Sequence, residues 1–172
     1  MKAFKILSIA ILFSTLSVSS FAQRFAYVDS EYILSQIPSY AEAQKALDEL
    51  SVRWQEQIEG KYAEIDKLYK AYQAEQVLLT EEMKTKREDE IIAKEREVKE
   101  FQKAKFGVDG ELFKKRKQLV EPIQEQIAEA LAAIAKAEGL SIIFDKSSTN
   151  ILFADAKYDK SDQVIRRLGY NR

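Results

Sequence analysis

Few side chains here could do covalent chemistry. The 172 residues include no cysteine and no histidine, which removes disulfides, thiol nucleophiles, cysteine-based zinc sites and any histidine-dependent base or triad. Carboxylates or a serine–lysine pair would have to serve an enzyme, and no spacing sets such groups together in a pocket. The glycine pair in "FGVDG", Gly107 and Gly110, has the spacing of an RNA-backbone clamp but lacks the surrounding module, so a bend in a helix is the better reading. No G-x-x-x-x-G-K-[ST] stretch occurs, so no bound nucleotide is expected to drive the protein, and no metal or other cofactor is expected either. What remains is non-covalent contact. Tyrosines, leucines and a methionine recur among charged residues at Tyr62, Leu68, Tyr69, Tyr72, Val77, Leu79 and Met83, giving more apolar surface than one helix–helix seam needs. A phenol ring offers contact area at small entropic cost and keeps a wettable hydroxyl, and methionine adapts to varied partners. These seven residues are the candidate contact set. Packing within the seam and, near 77–83, closure of a tight tip are the competing explanations.

Composition points to the elements that carry them. Charged residues make up 32% of the chain, with only five Gly and two Pro, as expected of long helices. Lys plus Arg (27) nearly balances Asp plus Glu (28), so no global field favours nucleic acid or an anionic membrane. The local run "KKRK" at 114–117 reads as a solvated helix face, with weak contact to phosphate-rich lipid headgroups as the alternative.

Residues 1–22 have the form of a secretory leader: Lys2 and Lys5, the apolar "ILSIAILFSTLSV", and small residues at Ser20 and Ala22 before Gln23. A retained anchor is the alternative reading of that segment. Cleavage after Ala22 would leave 25 basic and 28 acidic side chains in an exported, soluble chain suited to a bacterial periplasm.

Beyond the leader, "FAYVD" predicts a buried strand and "EYILSQI" a short helix capped by Asp29 or Ser30 and ended by Pro38. Ser39 with Glu42 forms a capping-box pattern that would open a long helix. Leu47, Leu50, Trp54, Ile58, Tyr62, Ile65, Tyr69 and Tyr72 then recur with the helical period to about residue 79. Forty such residues extend roughly 60 Å, too long to lie within a compact domain of this size. "VLLTEEM" supplies a turn with Thr80 as cap. The return helix carries Ile91, Val98, Phe101, Leu112, Leu119, Ile123, Ile127, Leu131 and Ile134, with a bend at Gly107–Gly110, a further kink at Pro122 and a C-terminal cap at Gly139. "LSIIFD" and "NILFAD" predict a β-hairpin across "KSST", and a last helix starts with Ser161 as cap. Three short strands are too few to cover themselves, which predicts completion of the sheet by other copies of the chain.

This order resembles the Skp (OmpH-like) family of periplasmic chaperones, through "FAYVDSEYILSQIP", "LTEEM", "FGVDGELFKKRKQLVEPIQEQI", "AKAEGLSIIFDKSS" and "ILFADAKYDKSDQVIRRLG". The resemblance implies a mainly α fold with a small β body: a long antiparallel helical hairpin, a coiled-coil arm, projecting from a trimeric β-sheet core. The expected division is a body of residues 23–38 and 118–172 and an arm of residues 39–117. It further implies a homotrimer whose three arms enclose a cavity where unfolded outer-membrane proteins are held without ATP. The slight acidity departs from the strongly basic members of that family, so no lipopolysaccharide site is carried over. A structural coiled-coil spacer or adaptor of the cell envelope would use the same helices without a client, and predicts a continuous heptad seam and no cavity-facing aromatics.

Overall fold

The computed structural model describes residues 24–170, so the expected leader lies outside the described residues. Strand β1, Arg24–Val28, enters the core and is followed by helix α1, Ser30–Ser35, whose N-cap Asp29 accepts a bond from the Tyr32 amide at 3.0 Å. Helix α2 spans Pro38–Glu75, about 57 Å at 1.5 Å per residue. A 3₁₀ turn at Gln76–Leu78 leads into α3, Glu81–Phe106, and after a break α4 runs from Glu111 to Glu138. Strand β2, Leu140–Asp145, a 3₁₀ turn at Ala156–Tyr158 and helix α5, Ser161–Arg167, complete the chain.

The helix ends follow local chemistry. Thr80 Oγ1 accepts from the Met83 amide at 3.3 Å, and Glu81 and Glu82 fill the first turn of α3, where carboxylates meet the positive end of the helix dipole. Gly139 ends α4 with φ 65°, the left-handed conformation that glycine adopts without a Cβ penalty. Two expected caps are corrected. Pro38 starts α2 instead of only ending α1, and Ile37 is its N-cap, without a side-chain bond. Proline suits that first position because its φ is preset and its missing N–H is not needed there, so Ser39 falls inside the first turn and the Ser39–Glu42 box does not form. Ser161 is likewise the first residue of α5, after the N-cap Lys160. Its buried hydroxyl donates to Asp159 Oδ1 at 2.6 Å and accepts from the Asp29 amide at 2.9 Å, tying α5 to the start of α1. Helix α4 runs through Pro122 without a break.

The sheet of the described residues has two strands. Strands β1 and β2 pair in parallel, Phe25 with Ile142 through Val28 with Asp145, with a register shift after Arg24. Parallel neighbours need a crossover, and here the crossover is the entire helical excursion. The predicted hairpin is a correction: "NILFAD" forms no strand. Asp145 turns the chain instead, its carboxylate accepting from the Ser147 amide at 3.1 Å and its carbonyl from the Thr149 amide at 3.0 Å. This leaves Leu152 and Phe153 94% and 88% exposed.

Three apolar clusters hold the chain. At the base, Ile33 and Ile37 meet Ile123, Ile127, Ile134 and Val164, with β1 contributing Val28. Ala43 and Leu47 of α2 pack on Val120 of α4. Further out, Ile58, Ile65 and Tyr72 of α2 meet Ile91 and Val98 of α3. Burial of such side chains contributes roughly 1.5–3 kcal/mol each, so the hairpin is held along its whole length by one seam. Among the described residues, no buried side-chain polar atom lacks a partner, and no helix is long and apolar enough to cross a membrane.

Candidate binding surface

On a helix, residues advance about 100° each, so residues seven apart drift by only about 20°. The seam line of α2 is drawn by the buried Ile58, Ile65 and Tyr72. Tyr62 and Tyr69 lie about 40–60° to one side of it and are 44% and 51% exposed. Leu68 lies on the opposite side, half-buried against the cluster. Tyr72 is only 8% exposed and belongs to the seam: its hydroxyl donates to the Glu88 carboxylate, which raises the phenol pKa, and Gln76 Nε2 reaches that hydroxyl at 3.4 Å. A tyrosine is tolerated there because its polar end finds a partner on the facing helix.

The two sides of the seam differ in charge. Ion pairs between α2 and α3 are on the Leu68 side: Lys61 with Glu97 at 2.7 Å, Glu64 with Lys94 at 3.7 Å and Glu75 with Arg87 at 3.7 Å. On the tyrosine side, the sector about 40–80° from the seam holds Gln44, Ser51, Gln55, Tyr62, Tyr69 and Gln73. None of these is charged. The edge is therefore a lane of amides, hydroxyls and rings about 44 Å long, on a helix whose other outer faces carry many charges.

At the tip, Val77 and Leu78 are almost wholly exposed and Met83 is half-exposed, while Leu79 folds back against the seam cluster and closes the turn. The tip lies about 12 Å along the axis from Tyr69. The seven candidates thus divide into an exposed tyrosine pair, an exposed tip of Val77 and Met83, and three residues, Leu68, Tyr72 and Leu79, engaged in the hairpin's own packing.

A second apolar surface was not among the candidates. Beside the two-stranded sheet, a cavity of about 400 Å³ is lined by Phe25, Tyr27, Phe144, Ile151, Phe153 and Tyr158. Phe25 and Tyr158 meet there with ring centroids 5.6 Å apart. The signal for it in the sequence was the apolar run "NILFAD", whose side chains find no strand partner within the chain. Among the described residues no group of three or more acidic side chains could hold a metal ion.

The profile of the family described as outer membrane protein (OmpH-like) matches residues 24–168. The chain belongs to this OmpH-like family. A solved structure from Caulobacter crescentus CB15, described as a putative outer membrane chaperone (OmpH-like), is similar in fold, with a TM-score of 0.67 over 85% of this chain and 83% of that one at 12% identity. No curated protein matches the chain. The long helical hairpin on a small sheet is therefore the architecture of this OmpH-like chain and of that structure alike.

Proposed function

We propose that this protein is a periplasmic holdase chaperone, which binds unfolded outer-membrane proteins without ATP in a cavity between the helical arms of a homotrimer. The observation that carries the reading is the exposed pair Tyr62 and Tyr69 on a charge-free edge of α2. Rings and amides without fixed charge make weak contacts that tolerate any client sequence, each worth about 1 kcal/mol or less when partly buried. Many such contacts sum to firm yet locally exchangeable binding. Release follows when the client folds and withdraws its apolar surface. The working division is an arm of residues 39–117 and a body of residues 23–38 and 118–172.

Trimer formation has its own support. Leu152 and Phe153 are exposed beside the apolar cavity at the sheet, and an open two-stranded sheet favours further pairing. Membership of the OmpH-like family and the outer membrane chaperone of the same fold also favour this reading over an envelope spacer. So do the break in the return helix and the rings left outside the seam, which a spacer would not require.

The test is the double substitution Tyr62→Ser and Tyr69→Ser. It should weaken the holding of a urea-unfolded outer-membrane β-barrel protein several-fold while helical content and assembly mass stay unchanged. Full holding by the double variant would remove the tyrosine edge from the function.

A further inference from the structure

Helix α2 is continuous past Trp54, but its partner is interrupted beside that ring, where α3 stops at Phe106 and α4 starts at Glu111. The interruption is closely bonded. The Gly107 amide donates to the Lys103 carbonyl at 2.8 Å, Gly110 to Gly107 at 2.8 Å and Lys114 to Gly110 at 3.1 Å, so the backbone ladder is handed across the break. Both glycines have negative φ, near −64° and −69°, so their conformations are open to any residue. Space is what they lack: a Cβ on Gly107 would collide with the Lys103 carbonyl oxygen, and one on Gly110 would sit 2.8 Å from the Lys105 carbonyl oxygen.

One side chain spans the interruption. Lys105, whose side chain is only 17% exposed, places its ammonium 5.0 Å from the Trp54 ring centre and 5.3 Å from that of Phe101, and pairs with Glu111 at 2.7 Å. Trp54 also meets Phe106 edge-on at 6.0 Å. A cation over aromatic faces is attracted by their quadrupoles, more strongly as it is desolvated. Lys105 thus joins the last turn of α3, the first turn of α4 and the middle of α2.

We propose that Lys105 is a positioning residue, the latch of an elbow that fixes the direction of the outer arm relative to the base instead of leaving it to swing. The glycines permit the tight crossing and the latch selects one setting of it. The edge bearing Tyr62 and Tyr69 lies beyond the elbow on the continuous α2, so the latch bears on its direction through the bend it permits in that helix and the setting of α3 against it. The inference concerns the arm alone and holds whether or not the arm carries a client.

With no native cysteine, dyes can be placed on the full chain at Lys86→Cys in the arm and Glu129→Cys on α4, both exposed positions. Labelled chain is then diluted into unlabelled protein so that each particle holds one dye pair. Single-molecule energy transfer should give one narrow population for the parent. K105M and E111Q should each at least double its width at unchanged helical content, and K105R should restore it. Trp54, the single tryptophan, should change its emission in K105M and much less in E111Q, which leaves the cation over the ring. If K105M cannot be folded, E111Q decides alone. A parent distribution as broad as the variants', or no broadening in E111Q, overturns the latch.

Discussion

At the residue scale, burial and hydrogen bonding decide what each polar group contributes. Asp145 is partly buried, which pushes its carboxyl up, but the Ser147 and Ser30 hydroxyls and both amides donate to it and bring it down to about 2. Its folded value lies below the ordinary 3.8, so the stability it supplies is present above that value and is lost as pH falls toward about 2. The amount is at most about 2.5 kcal/mol. Urea unfolding midpoints should therefore fall between about pH 4 and about pH 2 in the parent, with a shallower fall in Asp145→Asn, which should start less stable at neutral pH. Tyr62 and Tyr69 illustrate what periodicity conceals. Their spacing from Ile58 and Ile65 marks them as near the seam, but a difference of about 50° in helical angle separates a buried ring from an exposed one. Tyr72 was drawn inward by Glu88, sixteen residues away in sequence, and no local pattern shows that pairing.

At the scale of elements, the long helices, the Thr80 cap and the Gly139 cap were legible because each rests on a local rule. So was the interruption at Gly107 and Gly110. The failures had nonlocal or competing causes: Pro38 claimed the first helical position from Ser39, Ser161 was used by Asp159 and Asp29, and "NILFAD" lost its hairpin because β2 pairs with β1. Glycines at different places should respond oppositely to a methyl group. Gly60 lies inside α2, where an added Cβ would meet nothing within 4 Å, so Gly60→Ala should stabilise the chain by about 0.5–1 kcal/mol. Gly110→Ala forces a methyl against backbone and should cost about 1–3 kcal/mol. Thermal unfolding of both variants followed by circular dichroism checks the pair of signs.

At the scale of the whole molecule, the chain combines a well-closed seam with a body that leaves apolar surface uncovered. Leu152 and Phe153 stand in solvent beside the sheet cavity. If other copies of the chain cover them, replacing both with Asp should convert an assembly of three chains into single chains, read by light scattering coupled to size exclusion. The helical signal should survive, since neither residue belongs to the three apolar clusters. In the sequence this surface read as the second strand of a hairpin with "LSIIFD", because an apolar run does not itself show whether a neighbouring strand will pair with it, and here β2 pairs with β1 instead.

The most direct test of the account is the turbidity of a urea-unfolded outer-membrane β-barrel protein diluted into buffer with and without this protein. Suppression saturating near one assembly per client, in the absence of ATP, is the predicted result. Turbidity unchanged at a several-fold excess of assembled protein would contradict the holdase reading.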